Sequence, residues 1–247
     1  MPRSIFERKF TLTVKRVNKR VKDYIADPGN EDTIHDVRVA IRRLDVMHSL
    51  LPKKMRKQHR NQIDKYKQFL DANSEARDCD IIAARLISLG VSDTSDLSDK
   101  KKTMTARAVT LAHSLEKFPS LDGKLDDGRS DKKARRLVDK IKDILPLVLS
   151  DGNKVEELHT VRRDLRKLRY VLEVVPPNNR KKYMKKMQKA IDTDTQLEKL
   201  QDLLGSIHDC DITIEYLRHR PNEARLLEKE VGNRKRLFRK FVGHMTR

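Results

Sequence analysis

A ten-residue stretch, His35–Leu44 (HDVRVAIRRL), recurs with few changes as His159–Leu168 (HTVRRDLRKL). In each copy, a histidine is followed by arginine three and seven residues later and by a further basic residue eight residues later. Since each residue of a helix advances by about 100°, the histidine and both arginines share one face. The sequence therefore predicts two equivalent helices. Their basic residues are named here the first basic stripe (His35, Arg38, Arg42 and Arg43) and the second basic stripe (His159, Arg162, Arg166 and Lys167).

The opposite face of each predicted helix is apolar, as is typical of a helix packed on a core. Like charges four residues apart, such as Arg38 and Arg42, destabilise a helix by about 0.2–0.5 kcal/mol per pair. Because the basic stripe occurs in both copies, we expect a polyanion or internal carboxylates to balance its positive charge. The apolar residues are Val37, Ile41, Leu44 and Leu51 in the first copy and Val161, Leu165, Leu168 and Leu172 in the second.

The composition favours a partner with many negative charges. The 247 residues include 56 Lys and Arg against 37 Asp and Glu, which gives a formal net charge of +19. Such an excess indicates nucleic acid, an anionic membrane or another polyanion, and says little about the fold. Only 4% of residues are aromatic and Trp is absent, so platforms for base stacking are scarce. Binding to backbone phosphate is favoured over reading of bases.

The chain is expected to be soluble and cytoplasmic. Its first residues lack the apolar segment of a secretory signal, and no run approaches the 18 apolar residues of a membrane span. The two cysteines are expected to be reduced thiols. Cys79 and Cys210 occupy equivalent places in the repeat and are interpreted as small buried side chains.

Apolar spacing predicts helices along the whole chain, and no alternating β pattern of useful length occurs, so the predicted fold class is all-α. Asp32 or Thr33 is expected to cap the second helix. A polar loop is predicted at 90–99, and a helix break near Gly205. The stretch 118–131 is interpreted as a linker between repeats at 1–120 and 130–247. The predicted helices are 5–26, one ending at Pro52, 54–73, 100–117, 132–149, one ending at Pro176, 179–204, one ending near Arg218, and one from Pro221 to Val242.

A second pair of motifs supports an internal duplication. They are named here the acidic motifs: Arg77–Asp80 (RDCD) and His208–Asp211 (HDCD). Each lies downstream of its basic stripe. Spacing, order and residue type recur together, which a tandem duplication of a helical bundle explains.

Together these motifs resemble the CHAD family, named for a conserved histidine in an α-helical domain. The resemblance covers nearly the whole chain. It implies two four-helix bundles related by pseudo-twofold symmetry, with a basic groove or channel between them that binds inorganic polyphosphate. The sequence lacks the Glu-x-Glu-x-Lys strand of the triphosphate-tunnel domain to which some members are fused, so a stand-alone form is expected. The matching residues are both basic stripes, the two acidic motifs, Arg169, Tyr170 and Leu200–Gly205.

The residues expected to contact polyphosphate are mainly arginines, because guanidinium binds phosphate through two parallel hydrogen bonds and stays charged. The lysines of 182–189 would extend the track along a helix. The C-terminal cluster Arg234–Arg236 is interpreted as a solvated surface. The predicted contacts are His35, Arg38, Arg42, Arg43, Arg77, His159, Arg162, Arg166, Lys167, Arg169, Lys182, Lys185, Lys189 and His208.

Four carboxylates, Asp78, Asp80, Asp209 and Asp211, are expected to orient the arginines. Internal ion pairs with the stripes and metal ligation are the alternatives for them. The predicted function is non-enzymatic binding of polyphosphate, without cofactor, metal or obligate protein partner, and with location at polyphosphate granules. The alternatives are binding of RNA or DNA backbone, hydrolysis of phosphate esters with Mg²⁺ held by these aspartates, and recruitment to an acidic granule or membrane.

Overall fold

The computed structural model describes residues 4–120, 128–188 and 194–245. Within these ranges the regular secondary structure is helical and no strand occurs, so the prediction of an all-α fold is confirmed. A 3₁₀ turn at Pro221–Glu223 precedes the last helix. The α-helices are α1 (Ile5–Ala26), α2 (Glu31–Ser49), α3 (Lys53–Gln58), α4 (Arg60–Ser88), α5 (Ser95–His113), α6 (Gly128–Ser150), α7 (Val155–Leu172), α8 (Pro177–Gln188), α9 (Asp194–Arg218) and α10 (Ala224–Met245).

Several helix ends differ from the prediction. The side chain of Asn30, not of Asp32 or Thr33, caps α2, because its oxygen accepts hydrogen bonds from the backbone amides of Asp32 and Thr33 at 2.9 and 3.1 Å. Helix α4 continues through the acidic motif to Ser88, and α5 begins inside the predicted loop.

The predicted break at Gly205 is wrong, because α9 runs through it. Glycine costs a helix interior about 1 kcal/mol relative to alanine. Its neighbours Leu204 and Ile207 are buried, and their packing offsets that cost.

The chain divides into two compact units. The first unit comprises Met1–Asp80, Ser95–Asp131 and Glu173–Pro176, and the second comprises Ile81–Thr94, Lys132–Leu172 and Pro177–Arg247. The C-terminal turns of α4 thus belong to the second unit, and the four residues after α7 belong to the first.

In the first unit, α1 and α2 pack their apolar faces into a core that includes aromatic rings around Phe118. Asn18 holds this segment by donating to the Phe118 carbonyl and accepting from its amide, both at 2.9 Å. The Tyr66 hydroxyl donates to the Glu116 carbonyl at 2.9 Å, and burial raises the pKa of Tyr66 to about 12.

In the second unit, α7, α9 and α10 enclose the core, with Phe241 fully buried. The predicted apolar faces of both stripe helices are confirmed, since none of their eight residues is more than 4% exposed. Burying such side chains stabilises by about 1.5–3 kcal/mol each. Burial of the apolar face therefore fixes the rotation of each helix about its axis, and with it the direction of the basic stripe.

Gly152, in the turn between α6 and α7, is required by a close approach. A Cβ atom there would lie 2.9 Å from the Cδ1 and Cε1 atoms of the Phe238 ring. We expect Gly152→Ala to lower the free energy of unfolding by about 1–3 kcal/mol, because the ring must shift. Gly205→Ala is the matched control: nothing lies within 4 Å of its Cβ position, and it should stabilise α9 by about 0.5–1 kcal/mol. Urea unfolding measures the stability of both variants. An unchanged free energy of unfolding for Gly152→Ala would contradict the close packing of Phe238 on Gly152.

Candidate functional site

In the first unit, a cavity of about 220 Å³ opens beside the start of α2. It brings together His35 and Arg38 of α2, Arg77 and Asp80 of α4, and Lys101 of α5. Lys101 Nζ lies 2.7 Å from Asp80 Oδ1. Three predicted phosphate contacts therefore line one cavity, together with a lysine that sequence reasoning missed. His35 and Arg77 are exposed, so their donors are open to a ligand in solution.

The rest of the first basic stripe has other surroundings. The Arg43 guanidinium makes an ion pair with Glu173, and its Nε and Nη2 atoms lie 3.1–3.2 Å from the carboxylate oxygens. Arg42 acts on Asp71 of α4 through its charge. A phosphate bound at Arg43 would have to compete with this carboxylate.

In the second unit, a chain of hydrogen bonds joins α7, α9 and α10. His159 Nε2 lies 3.0 Å from Asp211 Oδ2 and 3.2 Å from His208 Nδ1. The two imidazole rings stand almost perpendicular, with centroids 4.7 Å apart. Arg234 donates from Nε to Asp211 Oδ1 and from Nη1 to the Gly152 carbonyl, the latter at 2.8 Å.

Asp211 is the negative centre of this network. Burial would raise the pKa of its carboxyl group, but hydrogen bonds from His159 and Arg234 outweigh burial and lower the pKa below the ordinary value. Asp211 is therefore an ionised acceptor at neutral pH. It holds His159 in place as a carboxylate behind a ligand histidine does.

His208 is held neutral by its surroundings. Burial and the nearby charges of Arg162, His159 and Arg166 lower its pKa to about 4, against a smaller opposing effect of Asp211. Both arginines of the second basic stripe act on this half-buried ring through their charge. Four of the predicted phosphate contacts, Arg162, Arg166, His159 and His208, therefore interact in the second unit.

A cavity of about 480 Å³ adjoins this cluster. It is lined by His159, Asp211, Arg234, Arg218 and Lys235 and also by the acidic residues Glu156 and Glu215. In both units, then, the cavity contains the stripe histidine, the last aspartate of the acidic motif and the cation that binds that aspartate.

Comparison with known proteins identifies the family of most of the chain. The family model for the CHAD domain matches residues 9–218. This chain belongs to the CHAD domain family. No curated protein matches the sequence.

Among solved structures, the crystal structure of the CHAD domain from the plant Ricinus communis is similar to this chain. The TM-score is 0.59 at 15% sequence identity, and the match covers 98% of this chain and 90% of the plant chain. At that identity the likeness shows a shared fold. It agrees with the all-α architecture described above.

The remaining predicted contacts of this CHAD domain are spread over α7 and α8. Lys167 lies 3.7 Å from buried Asp164, which Lys140 also binds at 2.7 Å. The Arg169 guanidinium lies 5.3 Å from the centre of the Tyr170 ring. Lys182 and Lys185 are exposed on α8, and Lys189 lies outside the described residues.

Of the four predicted orienting carboxylates, Asp80 and Asp211 bind cations that the sequence did not single out, Lys101 and Arg234. The roles of Asp78 and Asp209 stay predictions. Interpreting Arg234 as a solvated residue was wrong, because its side chain is only 9% exposed. Its spacing of seven residues from the buried Phe241 was the available signal.

The cysteines are free and buried, as predicted. Burial and the adjacent Glu230 raise the pKa of Cys210 to about 12, and burial raises that of Cys79. A thiol with a raised pKa is a poor nucleophile. Glu230 itself is 1% exposed and makes an ion pair with Arg85.

No group of three or more His, Cys, Asp or Glu side chains with metal-site geometry occurs in the described part of the chain. Among those same residues, no helix is both long and apolar enough to cross a membrane.

The neutral state of His208 gives stability a pH dependence. Its ordinary pKa of 6.5 applies to the unfolded chain, and the folded value is about 4. Between these pH values the unfolded state binds a proton that the folded state does not, so stability falls as the pH falls from 6.5 towards 4. Each pKa unit is worth about 1.4 kcal/mol, and solvent screening reduces the total for a half-buried group, so we expect a loss of about 1–2 kcal/mol.

Urea unfolding at pH 7 and pH 5 measures this loss, and His208→Gln should remove it. His48 and His59, whose pKa values burial also lowers, remain in the variant as a constant background. Equal losses in wild type and variant would contradict a neutral His208.

Proposed function

We propose that this CHAD domain binds inorganic polyphosphate, without converting it, through the basic stripes of both units. The observation that carries the proposal is the cluster around His208 in the second unit, where His159 lies 3.2 Å away and the charges of Arg162 and Arg166 act on the ring. Several cationic donors held together on rigid helices suit a ligand with closely spaced negative charges. The cavity beside His35, Arg38 and Arg77 offers the same chemistry in the first unit.

The protein's aromatic residues support a ligand without bases. Five of its largest fully buried side chains are Tyr24, Tyr66, Tyr170, Tyr183 and Phe118. Buried rings cannot stack on nucleobases, and such stacking contributes about 1–3 kcal/mol per base in proteins that bind single strands. Binding through phosphate alone needs no such platform.

A binding role rather than hydrolysis is supported by the contacts of the aspartates. The Asp80 carboxylate is engaged by Lys101, and that of Asp211 by both His159 and Arg234. A carboxylate neutralised in this way orients its cations. In this proposal the protein works in the cytoplasm, where it would associate with polyphosphate granules.

Nucleic acid is the second candidate, and the exposed cations of α8 favour it. Lys181, Lys182, Lys185 and Lys186 are all exposed on one twelve-residue helix that contains no acidic residue. A surface of this kind attracts any phosphate backbone. It would bind RNA and DNA without reading their sequence.

Calorimetric titration with long-chain polyphosphate at several salt concentrations tests the proposal. We expect tight binding at about 50 mM salt and a steep linear fall of log K with log salt, because counterions are released. Phosphate release is measured in parallel, with and without Mg²⁺. Failure to bind at low salt would overturn the proposal. Release that depends on Mg²⁺ and is abolished by Asp80→Asn or Asp211→Asn would show an enzyme instead.

A further inference from the structure

We propose that polyphosphate binding in the second unit takes up one proton on His208, so that binding there tightens as the pH falls, whereas the first unit lacks this coupling. The inference rests on the proposed function and adds a regulation to its site. It follows from a chemical difference between the two acidic motifs. Arg77 heads the first acidic motif and His208 heads the second.

The hydrogen bonds around His159 allow one arrangement of protons when no ligand is bound. Asp211 is an ionised acceptor, so His159 Nε2, which lies 3.0 Å from Asp211 Oδ2, must carry a proton. His208 Nδ1 lies 3.2 Å from the same Nε2 atom. A proton on His208 Nδ1 would point at the proton on His159 Nε2, and the two would repel. Neutral His208 therefore keeps Nδ1 bare, as an acceptor, and carries its own proton on Nε2.

Charged groups from each neighbouring helix act on His208. From α7, Arg162, Arg166 and His159 oppose its protonation, and Asp211 on its own helix favours it less strongly. From α10, Arg234 binds Asp211 and shares that negative charge. The adjacent Cys210 thiol faces the buried pair of Glu230 on α10 and Arg85 at the end of α4. Burial adds to the arginine charges in keeping the ring neutral.

A bound chain of phosphates would reverse this balance. Phosphate oxygens on Arg162 and Arg166 neutralise the charges that oppose protonation and add negative charge beside the ring. His208 then takes a proton from solvent on Nδ1. Because that proton would face the one on His159 Nε2, the imidazolium ring turns away from His159. It then offers two N–H donors to the ligand.

In the first acidic motif, an arginine takes the place of this histidine. Arg77, at the position of His208, remains charged across the physiological pH range. His35, the stripe histidine of this unit, is exposed. Any contribution of His35 can be separated by substitution.

Calorimetry in two buffers of different ionisation enthalpy counts the protons taken up on binding. The probe is long-chain polyphosphate, whose few chain ends contribute little titration of their own. For the wild type we expect uptake approaching one proton at pH 6 and about a five- to tenfold gain in affinity from pH 8 to pH 6, as linkage requires. His208→Gln should abolish this uptake, so that its affinity should change little between pH 8 and pH 6.

Two further variants make the comparison specific. His208→Arg copies the first acidic motif and should bind at both pH values without uptake at this position. His35→Gln is the matched histidine control and should keep most of the uptake. NMR of the His208 ring in the wild type, with and without polyphosphate at pH 6, reads its protonation without any substitution and should show imidazolium only in the complex.

Tight binding with equal proton uptake in wild type and His208→Gln would overturn this inference and leave the proposed function intact. A neutral His208 ring in the complex would do the same. Absence of binding at both pH 8 and pH 6 would instead contradict the proposed function, and the inference with it.

Discussion

Replacing Arg162 and Arg166 together with glutamine should weaken polyphosphate binding about a hundredfold or more at 150 mM salt. A hydrogen bond to a charged group contributes about 1.5–3 kcal/mol, and two of them correspond to at least a hundredfold in the dissociation constant. Glutamine is polar and uncharged and has a similar helix propensity, so the change removes charge with little effect on the fold. Fluorescence titration with labelled long-chain polyphosphate measures the loss.

The matched control removes the same number of charges elsewhere. Arg8 and Arg16 are exposed on α1, and they belong to neither basic stripe and line neither cavity. Their double replacement with glutamine should weaken binding only a few-fold, through the net charge. If both double variants lose affinity equally, the net charge of the protein determines binding and the stripes do not form a site.

The double variant of Arg162 and Arg166 also tests why the pKa of His208 is low. These two charges help to lower the pKa of His208, so their removal should return that pKa towards its ordinary value. NMR titration of the free variant measures the change. A His208 pKa that stays near 4 would mean that burial alone holds the ring neutral.

Arg85→Met should lower the free energy of unfolding by about 3–5 kcal/mol. Glu230 is 1% exposed, and both Nε and Nη2 of Arg85 lie 2.7 Å from its Oε2 atom. Removing one partner of a buried ion pair leaves an uncompensated charge, which costs this much in other proteins. The carboxylate would remain beside the buried Cys210 thiol, which cannot neutralise it. Urea unfolding at pH 7 measures the loss.

Two controls separate this effect from loss of any surface arginine. Arg218→Met removes an exposed ion pair with Glu215, in which the side chains are 64% and 61% exposed, and should cost about 1 kcal/mol or less. Arg85→Met combined with Glu230→Leu should recover much of the stability, because a buried pair replaced by apolar groups of similar size is often neutral. Equal costs for Arg85→Met and Arg218→Met would contradict a buried pair.

The sequence predicted the local architecture well where periodicity decides it. Val37, Ile41 and Leu44 are spaced for one helix face, and the same spacing in the second copy places Val161 and Leu165 in a core. Helix ends were harder to predict. Asn30 competes with Asp32 and Thr33 for the cap of α2, and only the backbone geometry shows which side chain accepts the amide hydrogens.

The candidate site was predicted in part. Duplication located both histidines and their arginines, but Lys101 and Arg234 reach the aspartates by tertiary packing, which the sequence does not encode at a fixed spacing. A charge run such as 234–236 reads as solvated surface even when its first member is buried. The substitution of His208 for Arg77 was visible in the sequence, whereas its neutral state depends on burial beside Arg162.

The duplicated basic stripes should select linear polyphosphate over other polyanions. Labelled long-chain polyphosphate, bound to the wild type at about 150 mM salt, is competed with unlabelled polyphosphate, RNA, duplex DNA and short phosphates. We expect unlabelled polyphosphate to displace the probe at a concentration of phosphate at least about tenfold below that needed with RNA or DNA. Displacement by nucleic acid at equal phosphate concentration would contradict the claim and identify a general polyanion surface.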